Sequence, residues 1–123
     1  QRLPDAVWRQ SEAAYRAGLQ PYIPAAADDA IFGAHMTAAC AFWALVFCRR
    51  WLERALAGAD PEDRTLHLRR CVLLRCEQFC LTAHEFGQLP HLEKVFAALV
   101  TRLHSQWPEE TYTMPLYPSF QAA

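Results

Sequence analysis

Four glycines, Gly18, Gly33, Gly58 and Gly87, stand singly among 123 residues, so the chain has no glycine-rich loop to wrap a phosphate. It has no GxSxG elbow, no kinase-type catalytic aspartate with its downstream asparagine, no CxxC pair and no HExxH helix. Nucleotide binding, phosphoryl transfer, serine hydrolysis and zinc catalysis therefore have no visible means within these residues. Neither sign of charge dominates: twelve basic and thirteen acidic side chains leave a formal net charge of −1. No global field recruits nucleic acid or anionic lipid, and neither is an expected partner. Nothing near Gln1 joins a charged segment to an apolar one, so no signal peptide is expected. Internal repeats, low-complexity tracts and strand-like alternation are also missing.

What the chain has is apolar surface. Hydrophobic residues make up 53% of it, which excludes disorder for most of its length, and its size suits one domain, residues 1–123. Five cysteines, Cys40, Cys48, Cys71, Cys76 and Cys80, are an odd set lying inside helical patterns. They read as reduced thiols in a cytoplasmic protein and not as a disulfide scaffold.

Periodicity and punctuation predict an all-α, antiparallel four-helix domain. The expected helices are 4–19, 29–57, 61–86 and 90–107, followed by an extended proline- and aromatic-rich tail over 108–123. Pro4 opens the first helix, whose stripe of Val7, Trp8, Tyr15 and Leu19 calls for cover on one side only. Pro21 and Pro24 mark a connector, and Asp28 and Asp29 supply capping candidates for the second helix. Gly58 and then Asp60 with Pro61 turn the chain into the third helix, Gly87 ends it, and Pro90 opens the fourth. Tyr117 and its aromatic neighbours predict a tail lying across the helices.

Ile31 to Cys48 forms an eighteen-residue stretch with His35 and Thr37 as its only strongly polar members, closed by Arg49 and Arg50. Its large side chains point in every direction around a helix, so protein or lipid must surround it. The three amphipathic neighbours favour protein, which makes this segment a long buried central helix and a membrane an unexpected partner.

Few side chains invite chemistry. Cys76, Cys80 and His84 recur every four residues, but the outer two sit about 12 Å apart along a helix, too far for one zinc. Help from His35 or Cys40 would be needed, and packed thiols are the simpler reading. Arg69 falls by angle among Leu66, Val72, Leu73 and Cys76, where it needs an anion or an acidic partner such as Glu53 or Glu12. His35 offers a general base or a hydrogen-bonded core histidine, and no nucleophile is placed beside it. The pairs Phe42/Trp43 and Phe47/Trp51 suit a pocket lining or core packing.

The segments LPDAVWRQSEAAYRAGL, AFWALVF, LPHLEKVFAALVTRLHSQWP and MPLYPSF together resemble the C-terminal helical part of bacterial aminoglycoside-phosphotransferase-like proteins. The resemblance spans nearly the whole chain and implies the helical, substrate-side lobe of a kinase-like enzyme. In that family the ATP-binding lobe and catalytic segment come first, so ATP and magnesium would belong to a preceding lobe. No catalytic residue carries over. The resemblance also implies a small-molecule acceptor faced by the first three helices, with Asp28, Asp29, Trp43 and Glu85 as acidic and aromatic candidates beside His35 and Arg69. The alternative is a helical ligand-binding or interaction module that pairs two chains through exposed stripes on helices one and four.

Overall fold

The computed structural model describes residues 5–57, 65–108 and 117. Among them the chain is all-α: α1 (Asp5–Leu19), a single 3-10 turn (Pro24–Ala27), α2 (Asp29–Ala57), α3 (Thr65–Phe86) and α4 (Pro90–Gln106). The expected Pro4 start, the turn at Gly58, Asp60 and Pro61, and the tail apart from Pro108 and Tyr117 lie outside the described residues.

Punctuation places the helix ends. Asp28 accepts the Ile31 N–H at 3.0 Å, the side-chain bond of an N-cap. At the far end of α3 the chain reverses through Gly87, whose φ of +64° suits a residue without Cβ. The Gln88 N–H donates to Ala83 O at 2.9 Å and the Gly87 N–H to His84 O at 3.3 Å, the paired bonds of a Schellman stop. Leu89 follows at φ +46°, a left-handed non-glycine residue, and Pro90 restarts the helix. Two left-handed residues within three positions fold α4 back onto α3.

Packing then departs from the expected hierarchy. Gly33 meets Phe86, Cys40 meets Thr82, Cys48 meets Cys76, and Ala55 O receives the Arg69 Nε–H. Partners descend α3 as they ascend α2, so this pair is antiparallel. The inner row of α2 is small: Gly33, Thr37, Ala41, Ala44 and Ala55 are buried, and a Cβ at position 33 would lie 2.8 Å from Phe86 carbons. Small residues bring the helix backbones close. As a consequence Ile31, Phe42, Trp43, Leu45 and Leu56 of α2 remain exposed, while Phe32 is buried and Trp51 and Leu52 pack against the core.

The central helix is therefore α3, not α2. Val72, Leu73, Cys76, Phe79, Cys80 and Ala83 are fully buried, because α2 covers one flank and α4 the other through Phe96, Val100, Leu103 and Trp107. Thr82 is buried against Cys40. The expectation of a buried α2 is corrected: only 28% of its apolar window is inside the protein. Hydropathy ranks how much a helix gains from burial, but geometry decides which helix has two neighbours.

α1 also differs from expectation. Val7 and Tyr15 remain exposed, and Gly18 has open space around it. The helix is held by long side chains. Arg16 donates from Nε to Ala26 O and from Nη2 to Ala27 O, each at 2.8 Å, and reaches Asp29 at 2.6 Å. Its guanidinium also lies 4.7 Å from the centre of the Phe32 ring. One residue thus joins α1, the 3-10 turn and α2.

Candidate functional site

A wheel drawn at 100° per residue puts Ile31, His35, Ala38, Ala39, Phe42, Leu45 and Arg49 on the side of α2 opposite its small inner row. The structure leaves Ile31 52%, Phe42 60%, Trp43 49% and Leu45 51% exposed. Isolated exposed apolar side chains are ordinary, and here several are concentrated on one helix. Aromatic edges organise it: Trp43 meets Phe42 at 5.8 Å and Phe47 at 6.4 Å between ring centres. Arg75 of α3 lies over both Trp43 and Phe47, at 5.8 and 5.3 Å. It borders the patch with a cation whose stem covers apolar surface.

Charge closes both ends of this face. Asp28 and the positive end of the helix dipole lie at the start of α2, and exposed Arg49 and Arg50 lie past Leu45 and Val46. The result is an apolar strip with acidic and basic limits.

A second, polar region forms where α1 crosses the first turns of α2 and the end of α3. Tyr15 and His35 share a hydrogen bond of 2.9 Å with their rings stacked, and Arg9 pairs with Glu85. Glu12 lies between them, and burial, then the Glu85 carboxylate, raises its carboxyl above the usual range. Trp8, Ser11, Glu12, Tyr15 and Met36 line a cavity of about 160 Å³. The Trp8 indole N–H and Glu12 Oε2 are buried without a hydrogen-bond partner among the described residues. The cavity wall is apolar carbon, since neither polar atom reaches its surface.

The six residues singled out in the sequence do not converge. Asp28, Asp29, His35 and Glu85 lie around the α1 crossing, occupied respectively by the α2 cap, Arg16, Tyr15 and Arg9. Trp43 lies on the flank of α2 beside Arg75 of α3. Arg69 lies apart, half-buried, with Trp107 5.3 Å below its guanidinium and Ala55 O accepting from it at 3.4 Å. Glu12, considered as its acidic partner, instead faces Arg9, Arg16 and Glu85.

Three polar contacts were not anticipated. Glu77 is fully buried and accepts from His104 Nε2 at 2.9 Å across the α3–α4 interface. Its position four residues from both Leu73 and Leu81 was the available signal, a carboxylate inside an apolar arc. Tyr117 donates its hydroxyl to Glu93 at 2.8 Å and packs edge-on against His84 at 5.6 Å. Burial, then the bond to Glu93, raises its phenol. Cys80, nearby, donates to Glu93 O, and burial pushes its thiol up to about 12. It is a packed, protonated thiol and not a nucleophile. The third contact joins Cys48 to Cys76.

Among the described residues no three of His, Cys, Asp and Glu are grouped to hold a metal ion. No family model, curated protein or solved structure matches the chain.

Proposed function

We propose that this chain is the helical lobe of a larger phosphotransferase-like enzyme, and that the outer face of α2 seats a neighbouring folded unit. On the sequence resemblance that unit is a kinase-like nucleotide-binding lobe. One observation carries the reading: Ile31, Phe42 and Leu45, within about 60° of one another around α2, are held half out of the protein. Leaving such a patch in water forfeits about 25 cal/mol for each Å² that a partner would cover.

Lipid is the rival cover. α2 is long and apolar enough to cross a membrane, with a mean hydropathy of 1.8 over its richest window. Its packed neighbour argues for protein, because Arg75 of α3 lies over Trp43 and Phe47 of α2 and charged groups are costly in hydrocarbon. Five free thiols suit a cytoplasmic setting. Nucleotide and magnesium belong to the neighbouring unit in this reading, and no step of phosphoryl transfer is assigned to residues of this chain.

The test is ATP-dependent transfer by the gene product carrying both units. Phe42→Glu with Trp43→Glu should cut that transfer at least tenfold while the helical circular dichroism persists. Unchanged transfer would contradict the proposal.

A second reading, self-pairing, is favoured by one feature of α2. Asp28 and Arg49 are equidistant from the midpoint between Ala38 and Ala39, and His35 and Phe42 are likewise equidistant from it. Two antiparallel copies crossing at these alanines would place acid against base at both ends, the self-complementarity that an isologous contact requires. Light scattering on the 123-residue chain separates the readings: a dimer dissociated by Phe42→Glu supports self-pairing, and a monomer at every concentration supports the lobe.

A further inference from the structure

Two thiols meet midway along the α2–α3 contact. Cys48 Sγ lies 3.5 Å from Cys76 Sγ, and both are free. Cys76 is fully buried and Cys48 half-buried, so Cys48 is the member of the pair nearer to solvent. Either thiol can donate in this contact, and the contact lowers the Cys48 thiol against the opposing effect of burial. The same bond, then burial, then the Cys48 charge, drives Cys76 upward.

This division of labour is that of a peroxide-sensitive pair. An accessible sulfur with thiolate character reacts first, and a neighbouring thiol resolves it. The other cysteines have different surroundings: Cys40 faces Thr82, Cys71 faces His67, and Cys80 faces the Glu93 carbonyl. All three are pushed up by burial.

We propose that Cys48 and Cys76 form a reversible oxidation site, which hydroperoxides convert into a disulfide joining α2 to α3. The Cys48 thiolate attacks the terminal oxygen of a hydroperoxide, ROOH, and the O–O bond breaks. The alkoxide takes a proton from water and leaves as ROH, so sulfur is oxidised to S–OH while the peroxide is reduced. Cys76 then gives up its proton and attacks the Cys48 sulfur. An S–S bond forms, and the S–OH oxygen leaves as water with that proton. The first step removes the Cys48 charge that disfavours ionising Cys76, which eases the second. The sulfurs must close from 3.5 Å to about 2.0 Å. A dithiol restores the pair, as befits a transient cytosolic disulfide.

The site does not depend on what covers the outer face of α2, and its test is separate. The fully reduced chain is treated with a small excess of hydrogen peroxide, remaining thiols are alkylated, and the peptides are mapped without reduction. The expected product is a Cys48–Cys76 linked peptide that dithiothreitol cleaves, with free thiols falling from the original five by two per chain. Cys76→Ala should stop at a sulfenic acid on Cys48 that dimedone captures, and Cys48→Ser should leave Cys76 reduced. Each variant is checked for helical circular dichroism, and the map of the unaltered chain decides the matter if Cys76→Ala fails to fold. Separate alkylation of Cys48 and Cys76 while Cys71 oxidises, or a link between any other pair, overturns the proposal.

Discussion

Arg16 shows how much of this structure depends on single long side chains. Its two bonds to connector carbonyls are charge-assisted and partly shielded, whereas Asp29 is 86% exposed and its ion pair is screened by water. Arg16→Ala should therefore cost about 1–3 kcal/mol in urea unfolding, and Asp29→Ala about 0–1 kcal/mol. Equal losses would show that the ion pair and not the carbonyl clamp holds the crossing. Glu12 gives a prediction with a pH sign. Its carboxyl is raised above its ordinary value by burial and then by Glu85, so the folded state binds this proton more tightly than the unfolded one. Stability is then lost as pH rises from below that value through the raised folded value. Glu12→Gln should leave the chain more stable than the parent at pH 7 and nearly equal to it at pH 3.5. A difference that persists at low pH would point to packing instead. At this scale the sequence was partly legible. The capping role open to Asp28 could be read from its place before an apolar run, because caps are local. Arg69 could not be resolved, since its Trp107 and Ala55 neighbours come from other helices.

Helices α1 to α4 were readable as elements because their starts and stops depend on nearby residues. Pro90 and Gly87 delimit α4 and α3 by restrictions on φ alone. The rank of α2 and α3 was not readable. A sequence shows that α2 is richer in large apolar groups, yet its small inner row of Gly33, Thr37, Ala41 and Ala44 decides which side faces the protein. That row predicts a steep response at Gly33. Even one methyl there meets Phe86 within 2.8 Å, so Gly33→Ala should destabilise by about 1–3 kcal/mol through overpacking, despite the better helix propensity of alanine. The double variant with Phe86→Leu should recover part of the loss, and an unaltered midpoint in Gly33→Ala would show that the helices can separate without cost. Gly87 tests the stop of α3 in the same way. Gly87→Ala places a Cβ in the left-handed region with open space around it, so its cost should be conformational, about 1–2 kcal/mol.

For the molecule as a whole, the apolar residues divide between a core and an exposed face. The core is α3, enclosed by α2 and α4 around Phe79, Phe96 and Trp107, and the exposed apolar face is the outer side of α2. Sequence periodicity assigned both to one buried rod, because an exposed apolar side chain and a covered one look alike in composition. The most direct measurement is urea unfolding of the 123-residue chain carrying Phe42→Glu with Leu45→Glu, set beside Phe79→Ala. The account predicts that the two outer charges shift stability by no more than about 0.5 kcal/mol, while the loss of the Phe79 ring costs about 3–5 kcal/mol. A chain that unfolds when charge is placed at positions 42 and 45, or that tolerates Phe79→Ala, would contradict it.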